Sequence, residues 1–187
     1  IQPNDNIFVA GDLRPSTPAI TLAVIQAVTD RGYNPKYLGL IPTPALAYYS
    51  QENNSVGIMV TGSHIPADRN GIKFYKKSGE VLKQDEALIS ECVSLVREEL
   101  YATDSDKLNF DLYGALTELP ELPVVDNAAT ELYRKRYVNY FGERILRGQK
   151  IVFYQHSAVG RDLLVDILSQ LGSEVITVGR SDVFVPI

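Results

Sequence analysis

Short apolar runs alternate along this chain with stretches whose apolar residues recur at helical spacing, and turn residues separate the two. Ile7-Phe8-Val9-Ala10 reads as a buried strand stopped by Gly11-Asp12. Ser16-Thr17-Pro18 then opens a helix, with Thr17 as its cap and Pro18 at the first helical position, where a missing N–H costs nothing. Ile20, Val24, Ala27 and Val28 form its apolar stripe, and Gly32 ends it. A second strand covers Tyr37 to Leu40, and Pro42-Thr43-Pro44 starts a short helix carrying Leu46, Ala47 and Tyr48. Val56 to Val60 and Gly71 to Tyr75 are further strands, the first with Met59 as a core residue. Such alternation predicts an α/β fold with a sheet covered by helices.

The pattern continues with an amphipathic helix over Gln84 to Tyr101, whose Leu88, Cys92, Leu95 and Val96 are expected in the core. Thr103 to Asp126 is irregular, with two prolines in Leu119-Pro120-Glu121-Leu122-Pro123. Asn127 to Leu146 is helical, with Leu132, Tyr137, Tyr140 and Phe141 as buried candidates. Tyr133, Tyr137 and Tyr140 beside Arg134, Lys135 and Arg136 read as an amphipathic face, not a nucleic-acid patch. From Lys150 a strand (Ile151–Tyr154), a helix (Ala158–Leu171) and a strand (Glu174–Val178) form one βαβ unit, which cannot bury both sheet faces alone. The natural cut lies near Gly148, giving a first domain over 1–147 and the start of a second over 148–187.

With 187 residues, 45% of them hydrophobic, the chain can bury a core and is not disordered. No apolar run approaches the roughly 18 residues of a membrane span, so no membrane partner is expected. A net charge of −5 without a basic block argues against nucleic acid. The single cysteine, Cys92, excludes an internal disulfide, and two histidines exclude a Cys/His metal cage; a reducing, cytoplasmic setting is expected. Neither Ile1-Gln2-Pro3 nor Val183-Phe184-Val185-Pro186-Ile187 resembles a natural terminus, so the chain is expected to be part of a longer one.

The polar loop Thr61 to Asn70 concentrates the chemistry. Gly62 is expected to adopt positive φ and thrust Ser63 outward, with His64 next and Pro66 stiffening the exit. Asn70-Gly71 is a turn signal, and beyond it Lys73 shares a strand face with Tyr75 while Ile72 and Phe74 face the other way. Two readings stay open from these residues: a solvated loop, or a phosphoryl-transfer site with Ser63 as acceptor and His64 and Lys73 as charge partners and proton handlers. Gly62-Ser63-His64-Ile65 is not a G-x-S-x-G elbow, a serine–histidine neighbour pair argues against a triad, and no P-loop or dinucleotide fingerprint occurs. Arg14, after the first strand, is either a solvated turn arginine or a planar fork for phosphate. His156, at a similar strand end, reads as a structural turn residue.

Together these segments resemble the α-D-phosphohexomutases. Thr61-Gly62-Ser63-His64-Ile65-Pro66 is similar to that family's T-[AG]-S-H-N-P serine loop, and Asn70-Gly71-Ile72-Lys73 to its N-G-x-K. Gly11-Asp12-Leu13-Arg14-Pro15-Ser16 resembles its G-x-D-x-R-x-S segment, and Ile41-Pro42-Thr43-Pro44-Ala45 its T-P element. The resemblance implies a mixed sheet sandwiched between helices as domain I, followed by the opening βαβ unit of a similar second domain. It implies a hexose-phosphate substrate, most closely mannose 1-phosphate and mannose 6-phosphate, and a phosphoserine at Ser63. Glucose or glucosamine phosphates, or a non-catalytic sugar-phosphate-binding module, are the alternatives. Catalytic roles fall to Ser63, His64 and Lys73, and phosphate-binding or loop-bracing roles to Arg14, Asn70 and Gly71. Magnesium would sit on the Ser63 phosphate, its other ligands outside this chain, and a hexose 1,6-bisphosphate would act as activator. Ile65 replaces the loop's usual asparagine, and the family's G-T-S-G-x-R and D-G-D-x-D-R strings are absent. This stretch alone is therefore expected to be inactive, needing further domains of the same chain.

Overall fold

The computed structural model describes residues 2–118 and 121–186; Leu119 and Pro120 of the proline-containing stretch, with Ile1 and Ile187 of the terminal runs, lie outside the described residues. Five strands, β1 (Asn6–Gly11), β2 (Asn34–Leu40), β3 (Val56–Val60), β4 (Ile72–Lys76) and β5 (Gly79–Glu80), form a sheet in the order β2-β1-β3-β4-β5. β1 runs parallel to β2 and β3, whereas β4 pairs antiparallel with β3 and β5. The sheet is thus mixed, as expected. The short β5 hairpin partner was not legible, since two residues carry no period.

Helices α1 (Thr17–Asp30) and α2 (Thr43–Glu52) take opposite faces of the parallel strands, because alternate residues of each strand point to opposite sides. Ile7, Val9 and Ile58 meet Ile25 and Val28 of α1. Phe8, Ala10 and Met59 meet Ala45 and Leu46 of α2 on the other face. Met59 is buried as expected. Ser16, not Thr17, precedes the first helical turn, and Pro18 falls one residue later than anticipated, because the Thr17 hydroxyl is drawn off to Asp12.

Helix α3 (Glu86–Ala102) exists where the periodicity put it, but its stripe is not in the core. Leu88 is 65% and Leu95 59% exposed, Val96 and Cys92 are exposed too, and none of the helix is buried. Spacing specifies an amphipathic helix without specifying what covers it. Ile72 and Phe74, on the α1 side of β4, are likewise half uncovered.

Helix α4 (Ala128–Phe141) packs against α2 and against α5 (Arg161–Gln170) of the second unit. Its buried residues are Ala129 and Tyr133, with Tyr137 partly buried one turn on. Leu132 is half buried, and Tyr140 and Phe141 are exposed, packing edge to face on each other instead (ring centroids 4.8 Å apart). The helix stops five residues before the expected Leu146 because Gly142 leaves the helical region with φ 78°. Strands β6 (Lys150–His156) and β7 (Glu174–Arg180) pair in parallel around α5 as a βαβ unit. Leu163 and Ile167 of α5, with Leu171 just after it, join the same apolar cluster as Phe8 and Met59, so α4 ties the two units together.

The contrast between covered and uncovered stripes is measurable. Leu46→Ala, at a fully buried position, is expected to cost about 2–5 kcal/mol in urea unfolding. Leu95→Ala on α3 should stay within about 0.5 kcal/mol of the parent; equal losses at both positions would show that α3 is packed in solution.

Candidate active site

The loop between β3 and β4 is built from the carboxylate of Asp12, just past the end of β1. Its Oδ1 accepts the Thr17 hydroxyl (2.6 Å) and the Arg14 backbone N–H (3.0 Å). Its Oδ2 accepts the Thr61 hydroxyl (2.8 Å) and the Gly62 N–H (3.3 Å). The Thr61 oxygen in turn accepts the Ser63 N–H at 3.0 Å. One carboxylate thereby fixes the start of α1 and the start of the loop, and its lone pairs are satisfied on withdrawal from water.

Arg14 is neither a solvated turn residue nor a phosphate fork. It is 4% exposed and lies under the loop. Nη1 donates to the carbonyls of Pro66 (2.6 Å) and Arg69 (2.7 Å), and Nη2 to those of Ile65 (2.8 Å) and Ser63 (3.2 Å). All four terminal N–H groups are thus spent on the loop, and Nε faces Asp12 Oδ2 at 3.5 Å. The ring of Phe184 covers the guanidinium, 5.1 Å from Cζ to centroid.

The glycine works differently from the expectation. Positive φ falls on Ser63 itself (51°), not on Gly62. Gly62 is required because a Cβ there would stand 2.3 Å from Arg14 Cζ, so only a residue without a side chain lets the loop close on the guanidinium. Asn70 closes the other end: its amide donates to the hydroxyls of Thr17 (2.9 Å) and Ser16 (3.1 Å), and its Oδ1 accepts the Gly71 N–H (2.8 Å). The Gly71 carbonyl then accepts the Thr61 N–H at 2.9 Å.

Ser63 and His64 end up adjacent and exposed, lining a cleft of about 730 Å³. Lys73 is not brought there. It faces the α2 side of β4 opposite Met59, as expected, but is exposed and lines a separate hollow with Phe74 and Ile89. The far wall of the Ser63 cleft consists of His156, the last residue of β6, Ser157 to Val159 after it, and Phe184 to Pro186. His156, expected as a structural turn residue, ends a parallel strand, the position that Gly11 holds in the first unit. Beside this wall the Arg180 guanidinium, hydrogen-bonded to Asp162 (2.5 Å), holds that carboxyl below its ordinary range. Among the described residues no group of three or more His, Cys, Asp or Glu could hold a metal, and Asp12 is already committed.

An exposed serine and histidine thus stand on a braced loop at the strand ends of a mixed α/β sheet. Residues 2–99, just over half of the chain, match the family described as phosphoglucomutase/phosphomannomutase, alpha/beta/alpha domain I, and the chain belongs to that hexose-phosphate mutase family. It is similar to a phosphomannomutase of Sinorhizobium fredii, 38% identical over 187 residues, which are 100% of this chain and 37% of that protein. It is also similar to a phosphomannomutase of Salmonella muenchen, 38% identical over 181 residues, covering 97% of this chain and 34% of that one. The crystal structure of a phosphoglucomutase/phosphomannomutase family protein from Burkholderia thailandensis shares the fold, with a TM-score of 0.65 at 18% identity over 96% of this chain and 36% of its own. The chain thus spans just over a third of the length of these proteins.

Replacing Gly62 by alanine should displace the Arg14 head and lower stability by about 1–3 kcal/mol. The urea midpoint reads this directly, and an unchanged midpoint would show that the guanidinium is not confined by the loop.

Proposed function

We propose that this chain is the serine-loop part of a phosphomannomutase, interconverting mannose 1-phosphate and mannose 6-phosphate through a phosphoserine at Ser63. The observation that carries the reading is the Ser63 hydroxyl held at the exposed apex of an Arg14-braced loop, facing a cleft of sugar-phosphate size. The relatives that match nearly the whole chain at 38% identity carry that name. Residues 1–147 act as domain I and 148–187 open domain II, the remaining domains following on the same cytoplasmic protein.

In the forward half-reaction the phosphorus–Oγ bond of phosphoserine breaks as a bond forms to the free sugar hydroxyl, giving a hexose 1,6-bisphosphate. The hydroxyl proton passes to Ser63 Oγ, with His64, the next residue on the loop, as its relay. The bisphosphate turns round and returns its other phosphoryl group to Ser63, so a hexose 1,6-bisphosphate also primes the enzyme. Loop rigidity matters because a loose phosphoryl transition state is stabilised by position and charge, with little covalent help. Magnesium on the Ser63 phosphate neutralises charge when bound, its remaining ligands lying outside these residues. Lys73 contributes positive potential from β4, outside the cleft, and Asn70 and Gly71 hold the exit of the loop. Among the described residues no helix is long and apolar enough to cross a membrane.

The intact mass of the full-length protein should show one phosphate that Ser63→Ala removes together with mutase activity. A phosphate kept by the variant would rule Ser63 out, and activity on glucose or glucosamine phosphate in place of mannose phosphate would reassign the sugar.

A further inference from the structure

Among the described residues, four other than glycine have positive φ: Asn4, Asn54, Ser63 and His156. Asparagine enters the left-handed region with comparative ease, and the other two face each other across one cleft. Such conformations persist where surrounding structure over-determines them, and they cluster at binding sites. His156 is held in that way. Its carbonyl accepts Nη1 of Arg161 (3.1 Å) and the Ser181 N–H (3.0 Å). Arg161, also buried, further donates to the Ser181 carbonyl and to Asp182 (3.0 Å). The arrangement repeats the first unit, where a buried arginine after a strand end clamps the carbonyl of Ser63.

The imidazole is pinned as well. Ser157 Oγ accepts the Val185 N–H (3.0 Å) and lies 3.2 Å from His156 Nδ1, with the Val185 carbonyl a longer alternative at 3.4 Å. This contact occupies Nδ1 and orients the ring, which leaves Nε2 as the imidazole nitrogen open to a ligand. Nothing in loop bracing uses that nitrogen.

We infer that His156 is a substrate-binding residue of this cleft, hydrogen-bonding through Nε2 to an oxygen of the hexose phosphate opposite Ser63, with Ser157 as its positioning residue. This rests on the reading of the cleft as a sugar-phosphate site. His156 moves no phosphoryl group, so it acts on binding while Ser63 acts on transfer.

Full-length protein, His156→Gln and His156→Leu test it. Glutamine keeps a neutral donor and leucine keeps only bulk. Calorimetric binding of mannose 1-phosphate is expected to weaken about 10- to 100-fold in the leucine variant, the size of a lost hydrogen bond to a charged group. The loss should appear in KM rather than kcat, with glutamine recovering most of it. The Ser63 phosphate, read by intact mass, should be unchanged in all three. Equal affinity in the leucine variant, or an equal fall in both variants, overturns the assignment of His156. Wild-type protein that binds the sugar phosphate but carries no phosphate and does not turn over overturns the proposed mutase reaction instead and leaves the His156 comparison valid.

Discussion

A guanidinium out of water, ringed by four backbone carbonyls, holds this site together. Arg14 and the Asp12 carboxylate beside it convert a stretch of polar loop into a rigid platform, because burying either charge without these partners would be strongly unfavourable. The loop cannot relax outward without abandoning the charge-assisted hydrogen bonds that Arg14 donates to the carbonyls of Pro66, Arg69, Ile65 and Ser63 together. The exposed left-handed backbone of Ser63 follows from that network: its N–H is held by Thr61 and its carbonyl by Arg14, so the side chain is what remains to project.

The sheet serves the same end. β1 and β3 run in parallel, so Asp12 and Thr61 leave the sheet side by side, and the Asp12 N–H continues the pairing onto the Val60 carbonyl at 3.1 Å. The antiparallel return of β4 then brings Gly71 back to Thr61 and closes the loop at its base. The second unit contributes from across the cleft. Phe184 lies over the face of Arg14, and Val185 is tied to Ser157, so the segment after β7 touches the braces of both walls.

Much of this was legible in the order of residues. Strand and helix runs were set by apolar period, and the serine loop by the dense sequence Thr61-Gly62-Ser63-His64-Ile65-Pro66. Four things were not. Arg14 looked like a turn arginine because its acceptors are main-chain carbonyls some fifty residues away, and carbonyls leave no trace in side-chain identity. Gly62 was credited with a torsional role when its need is steric, a distinction that depends on which atom approaches. The α3 stripe had the right period for burial, but coverage belongs to the partner surface, so Cys92 and Leu95 are exposed. The nearness of His156 to the Ser63 cleft was hidden for a related reason: the two residues lie more than ninety positions apart in the chain.

In the proposed reaction the Ser63 oxygen holds a phosphoryl group in transit. Full-length protein should be exposed to hexose 1,6-bisphosphate labelled in its phosphates, digested, and the label located by peptide mass. Label on the peptide containing Ser63, discharged when unlabelled mannose 1-phosphate is added, is the predicted result. Label on another residue, or label on Ser63 that no sugar phosphate removes, would contradict it.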